Sequence, residues 1–242
     1  MSNRINQIAG LSLRQAAIVT AITYLTNPVS YAEFSIWPRL VADDSIGRTV
    51  QNINAHPGLF LAAIFCYLVS FIGDIVLAWS LYVLLAPVNR ALSLLASWFQ
   101  LIYAAVALCG VFNLVAVRNM LHSSDYLAAF GTVQLQAQVL LQLRAFHNDF
   151  DFALTLFGIH LLLLGYLVFR SGYIPRFAGI ALALAGVGWI VNFVGPYVRP
   201  DLGFGYTNIA ACGELVFLGW LLVRGWKIKE VLPESHAALA AA

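Results

Sequence analysis

The chain has 242 residues, of which 61% are hydrophobic and only 10% charged, whereas a soluble domain has roughly 45–50% apolar and about 25% charged residues. Its mean hydropathy is +0.83, and its 13 basic and 11 acidic residues leave a formal net charge of only +2. So few polar groups cannot cover this apolar surface in water, which excludes a soluble domain, and the mild charge without a basic run excludes nucleic acid as a partner. The composition predicts a protein embedded in a lipid bilayer.

Six apolar segments are each long enough to cross a bilayer, which takes about 20 residues of helix. They cover residues 13–37, 58–86, 91–117, 150–169, 177–197 and 204–223. These runs are continuous rather than short and alternating, so they predict helices and not a β-barrel. We therefore expect an all-α, polytopic transmembrane bundle of about six helices, with one domain over residues 1–230 and a short cytoplasmic tail over residues 231–242.

Two details of these segments predict local structure. Pro28 lies inside the first segment and should kink it, because proline removes a helical hydrogen bond. The connection over residues 130–144 has apolar and glutamine positions that separate partly at helical spacing. It forms either a helix along the outer membrane surface or an outward extension of the fourth segment.

The basic residues predict how the bundle is oriented. With six spans, one side of the membrane carries 8 Lys and Arg residues, among them both terminal clusters, and the other side carries 5. Cytoplasmic loops are richer in Lys and Arg. Both termini are therefore expected in the cytoplasm, and the location expected is the inner (plasma) membrane of a cell, crossed several times.

Ionisable side chains lie inside three of the predicted spans. Asp74, His160 and Glu214 fall near the middle of the second, fourth and sixth segments. Such groups are costly in hydrocarbon and indicate a functional site by default, so we expect all three to face inward at similar depth. Tyr67 and Ser70 share the helix face of Asp74, because residues three, four and seven apart lie on one side. These five are candidates for a ligand or proton site.

The fifth segment adds a sixth candidate and a packing prediction. Ala181, Ala185, Gly188, Asn192 and Gly195 follow one another at helical spacing and form a stripe of small residues. Small residues let membrane helices approach closely, and the Asn192 amide can bond across such an interface. A purely structural role, joining helices, is the alternative interpretation for all of these polar side chains.

A metal site is a further alternative. His147 and Asp151 are four residues apart on one helix face, and His56 lies on the same predicted outer side. Histidine and carboxylate are suitable ligands for zinc or manganese. No HExxH motif is present, however, and a polar cap at the outer start of the fourth span explains the same residues.

Two stretches of the chain resemble a known family. They are Leu81-Tyr82-Val83-Leu84-Leu85-Ala86-Pro87-Val88-Asn89-Arg90 and the stretch from Gly158 to Arg176, followed by Gly179 and Gly186. The sequence resembles the bacterial multi-pass membrane family known as domain of unknown function 4386. The resemblance implies a bacterial inner-membrane protein of about six helices and brings no catalytic residue with it.

Three classes of function fit these observations. The first is a small-molecule or lipid-binding, transport-type bundle with a polar centre, whose partners are the lipid bilayer and a small hydrophobic ligand. The second is a non-catalytic assembly or regulatory subunit bound to a partner membrane protein. The third is a membrane-embedded metal-dependent hydrolase. The sequence favours a protein that is not an enzyme, and it indicates no particular cofactor.

Overall fold

The computed structural model describes residues 11–42, 44–198 and 207–228, and these residues are almost entirely helical. The helices are α1 (Leu13–Leu25), α2 (Val29–Tyr31), a π-helical turn (Ala32–Ile36), α3 (Trp37–Leu40), α4 (Ile46–Ala55), α5 (Pro57–Leu85), α6 (Arg90–His122), α7 (Ser124–Ala129), α8 (Thr132–Arg170), α9 (Arg176–Val198), α10 (Thr207–Arg224) and a 3₁₀ turn (Gly225–Lys227). The all-α class predicted from the sequence is confirmed.

Local sequence explains where several helices begin and end. Ser12 and Gln15 form a reciprocal capping box at the start of α1, and the Asn89 side chain accepts a hydrogen bond from the Leu92 amide at the start of α6. Both arrangements satisfy amide groups that have no partner within the helix. Pro28 follows the end of α1, so the predicted kink is present as a break between α1 and α2.

The long helices form a closed ring in chain order. α1 packs against α5, α5 against α6, α6 against α8, α8 against α9, α9 against α10, and α10 returns to α1. Hydrogen bonds cross several of these interfaces, for example from Thr20 to Ser80 between α1 and α5, from Ser97 to the Ala78 carbonyl between α5 and α6, and from His160 to the Ala96 carbonyl between α6 and α8. Each predicted apolar segment contributes one side of the ring.

Four of the described helices, α5, α6, α8 and α9, are long and apolar enough to cross a bilayer. Large apolar side chains are exposed along them, for example Phe65 and Ile72 on α5 and Phe112 on α6. Such side chains are stable when they face lipid. The protein is therefore a membrane protein, while the total of six crossings and the side on which the termini lie stay predictions.

The connection before the fourth apolar segment is an extension of that segment. α8 is one continuous helix of 39 residues from Thr132 to Arg170, so a separate surface helix over residues 130–144 is not formed. At 1.5 Å per residue its length is about 58 Å, well beyond the roughly 30 Å of hydrocarbon. The N-terminal part of α8 therefore projects past the apolar layer, and α4 packs against α8.

Two stripes of small residues hold α9 between its neighbours. On one side, Gly179 and Gly186 meet Gly165 and Gly158 of α8 backbone to backbone. On the other side, Ala181 and Ala185 of the predicted stripe pack against Gly213 of α10. The predicted stripe thus contacts α10, and a second stripe, made of glycines, contacts α8.

Candidate functional site

Two carboxyl groups from different helices interact with each other inside the ring. Asp74 of α5 is only 5% exposed, and its carboxyl group interacts electrostatically with that of Glu214 on α10. The indole Nε1 of Trp189 on α9 donates a hydrogen bond of 2.8 Å to Glu214 Oε1. All described Arg and Lys side chains are exposed, so none of them neutralises this pair.

Two tyrosines surround the carboxyl pair. Tyr24 at the end of α1 and Tyr103 in α6 both interact electrostatically with Asp74 and Glu214. The Tyr24 hydroxyl is buried and has no hydrogen-bond partner in the described protein. This hydroxyl can both donate and accept a hydrogen bond, so it is available to a polar ligand.

Gln100 and His160 supply further buried polar atoms without partners. His160 is 1% exposed, and its Nδ1 donates to the Ala96 carbonyl at 2.8 Å because a carbonyl can only accept. In the neutral ring, this bond leaves the free lone pair on Nε2. His160 Nε2 and both amide atoms of the fully buried Gln100 have no hydrogen-bond partner among the described residues.

Contacts between neighbouring helices place these side chains at one depth. Phe71 of α5 packs against Tyr103 of α6, and the Ser97 hydroxyl of α6 donates a hydrogen bond to the Ala78 carbonyl of α5. Because Asp74 lies between Phe71 and Ala78, these two contacts place it opposite Gln100.

Contacts among α6, α8, α9 and α10 place further side chains at the same depth. Phe157 packs against both Tyr103 and Trp189, and His160 lies one turn further along α8. Trp189 in turn bonds Glu214. Each of the six ring helices therefore contributes a polar or aromatic side chain at this depth, and we call Tyr24, Asp74, Gln100, Tyr103, His160, Trp189 and Glu214 together the polar centre.

The structure separates the six predicted site residues into groups. Asp74, His160 and Glu214 belong to the polar centre. Ser70 is buried, but its hydroxyl donates to the Cys66 carbonyl of its own helix at 2.7 Å. Asn192 is buried on α9, one turn from Trp189.

Tyr67 belongs to a second group, towards the end of the ring at which α5 begins; this is the end predicted to face outward. Its hydroxyl donates a 2.6 Å hydrogen bond to Glu33 Oε1 in the π-helical turn. Glu33 also interacts electrostatically with His147 and Asp151 of α8, and the His147 ring stacks on Trp37 with centroids 5.8 Å apart. We call Glu33, Tyr67, His147 and Asp151 the outer cluster.

The residues proposed as metal ligands do not come together as a set. His56 lies at the start of α5, where its ring contacts the Asn52 carbonyl, away from the outer cluster that holds His147 and Asp151. Among the residues that the structure describes, no group of three or more His, Cys, Asp or Glu side chains is arranged to hold a metal ion.

Sequence reasoning missed several members of both groups. Glu33 is not among the predicted site residues, although it is the single acid between Leu13 and Trp37. Gln100, Tyr24, Tyr103 and Trp189 are likewise absent from the residues that the sequence singles out. Of these four residues, only Gln100 could have been recognised from the sequence, since an amide in the middle of an apolar span requires a hydrogen-bond partner.

The sequence matches one protein family, described as "Domain of unknown function (DUF4386)", over residues 8–225. The chain belongs to the DUF4386 family. A protein from Archaeoglobus fulgidus, described as uncharacterized, is 31% identical to the DUF4386 chain over 194 residues, which are 78% of this chain and 98% of the relative. No solved structure matches the chain. The family match confirms the resemblance seen in the sequence and covers the whole ring.

Proposed function

We propose that this DUF4386 protein is a membrane-embedded, transport-type binding protein whose polar centre holds a small, positively charged molecule. One observation carries the proposal: the carboxyl pair of buried Asp74 and half-buried Glu214, which has no described cation beside it, lies level with four buried polar atoms that have no described partner. Those atoms are the Tyr24 hydroxyl, both Gln100 amide atoms and His160 Nε2.

The bonding in the polar centre differs from that of a purely structural contact. Buried polar groups in folded proteins are paired in the large majority of cases, because an unpaired group costs about 1–3 kcal/mol. Polar groups that only join helices are hydrogen-bonded to each other, as Thr20 and Ser80 are between α1 and α5. Four unpaired atoms at one depth, on three different helices, instead favour a bound partner.

The chemistry of the polar centre favours a cation that also donates hydrogen bonds. Asp74 and Glu214 provide acceptors, and His160 Nε2 is an acceptor in the tautomer that its Ala96 bond requires. The rings of Tyr103 and Trp189 add aromatic faces, which attract cations. An alkylammonium group can donate hydrogen bonds to these acceptors and place its positive charge against the aromatic faces. An apolar chain attached to it can pack against the aromatic rings.

A ligand-dependent stability measurement tests this proposal. Purified protein in nanodiscs is heated in increasing butylammonium chloride, with sodium chloride at equal ionic strength as the reference. We expect the apparent Tm to rise with butylammonium concentration, because a ligand that binds only the folded state stabilises it by mass action. Asp74→Asn and Glu214→Gln keep the size and most hydrogen bonding but remove the charge, and each should abolish the rise.

Asp125→Asn is the matched control, since Asp125 is an exposed carboxyl on α7 and its removal should leave the butylammonium response intact. Asp74→Leu separates structure from binding: if Asp74 only joins helices, Asn is tolerated and Leu lowers the Tm without any ligand effect. An identical butylammonium response in wild type and both charge variants would refute the proposal.

A further inference from the structure

We propose that the cleft between the inner ends of α9 and α10 binds the phosphate head group of an anionic phospholipid. This basic cleft has a volume of about 570 Å³ and is lined by Tyr173, Phe177, Trp220, Arg224 and Lys227, together with the turn before α9. It is separate from the polar centre, and the inference does not depend on the proposed function.

Positive charge in the basic cleft is not neutralised by nearby described residues. Arg224 ends α10 and Lys227 ends the 3₁₀ turn that follows; both side chains are exposed at the cleft. The described carboxyl groups all lie elsewhere, in the polar centre or towards the opposite end of the ring. A guanidinium and an ammonium group on one cleft are well suited to a phosphate, which accepts several hydrogen bonds.

The surroundings of the cleft add to this positive charge. Four arginines lie at the same end of the helices: Arg14, Arg90, Arg170 and Arg176. Basic residues near a membrane surface attract anionic lipids, and each one adds to this attraction when it lies close to the surface. The charge of this end is therefore complementary to an anionic head group.

The position of the cleft favours a lipid over a free anion. Phe177 is 58% exposed at the start of α9, an apolar helix able to span the bilayer, and Trp220 lies one turn before Arg224 on α10. Aromatic walls therefore lead from the cationic rim to the lipid-facing surface. A phospholipid fits this order of groups, with its phosphate at Arg224 and Lys227 and its acyl chain along Phe177 and Trp220.

The floor of the cleft is held in place by the connection between α8 and α9. The Tyr173 hydroxyl donates a hydrogen bond to the Leu84 carbonyl at the end of α5. Gly172 has φ +73°, a left-handed conformation that glycine adopts without strain. The Gly172–Tyr173 side of the cleft is thus anchored to the end of α5.

Lipid titration of the full chain tests the proposal. Protein in a neutral detergent is titrated with dioctanoyl phosphatidylglycerol, dioctanoyl phosphatidylcholine or inorganic phosphate, and bound molecules are counted by native mass spectrometry. We expect wild type to bind phosphatidylglycerol more tightly than phosphatidylcholine. The double variant Arg224→Gln, Lys227→Gln should bind phosphatidylglycerol about tenfold more weakly, since two cations near the head group are lost.

Arg118→Gln, Arg144→Gln is the matched control, because it removes two exposed cations towards the opposite end of the ring; it should keep wild-type affinity. Equal phosphatidylglycerol affinity in the two double variants would refute the site, as would equal binding of both lipids to wild type. Inorganic phosphate binding that depends on Arg224 and Lys227, without lipid binding, would also refute it by showing a free-anion site.

Discussion

Single glycines determine how closely α8 and α9 approach. A Cβ atom built on Gly165 would lie 2.6 Å from the Gly179 carbonyl oxygen and 2.8 Å from the Ala183 amide nitrogen. Both contacts are with backbone, which cannot move aside as a flexible side chain can. In a bilayer, where lipid is as apolar as the helix surface, this close backbone packing supplies much of the association energy.

Replacing Gly165 with alanine should therefore destabilise the bundle. We expect a cost of about 1–3 kcal/mol, the usual range for overpacking a tightly packed site, and a lower apparent Tm in detergent by circular dichroism. Gly219→Ala on α10 is the control, because nothing lies within 4 Å of its Cβ position. A Tm for Gly165→Ala equal to that of the control would show that α8 and α9 separate without loss of stability.

At the scale of elements, the broken first segment positions an acid that a straight helix would place differently. The π-helical turn Ala32–Ile36 follows the break at Pro28, and it presents Glu33 to Tyr67 of α5 and to the outer end of α8. Isolated π-turns widen a helix locally and occur often at functional sites. The outer cluster thus depends on this irregular element.

Tyr67→Phe should weaken the attachment of the π-helical turn to α5. The change leaves the Glu33 carboxyl without its donor, and losing one partner of a buried hydrogen bond costs about 1–3 kcal/mol. Thermal unfolding should show a lower apparent Tm than for Tyr166→Phe, whose hydroxyl-bearing ring is exposed on α8. Equal Tm values would mean that the Tyr67–Glu33 bond adds nothing to stability.

For the whole molecule, the ring places alternate connections at opposite ends. The turn containing Gly172 lies beside the end of α5, because Tyr173 bonds the Leu84 carbonyl, and the start of α6 at Arg90 is at that same end. The connection between α6 and α8, which includes Asp125, lies at the other end. The excess of basic residues at the first end predicts that this end faces the cytoplasm.

Cysteine labelling tests this orientation directly. In a background without Cys66, Cys109 and Cys212, single cysteines at Asn89 and Gly172 should be protected from an impermeant maleimide added to intact cells. A cysteine at Asp125 should react, because its side chain is predicted outside. Labelling at Gly172 but not at Asp125 would reverse the orientation.

Composition and continuous apolar runs are sufficient to predict the membrane location, the all-α class and the approximate helix positions. These follow from length and local chemistry, since a bilayer leaves helices as the natural way to pair backbone groups within each run. The depth of Asp74, His160 and Glu214 was also predictable, because depth depends on counting residues along a helix.

Only the tertiary structure decided which side chains meet. Depth does not determine how each helix is rotated or which helix is its neighbour, so the roles of Gln100, Trp189 and Glu33 were not predictable from spacing. The contact of α10 with α1 brings together the first and last long helices of the described residues, and the glycine contacts between α8 and α9 set one of the intervening distances. The polar centre arises from packing between residues that are distant in sequence. The apolar pattern along the chain shows only that each helix is compatible with lipid, not which helices are neighbours.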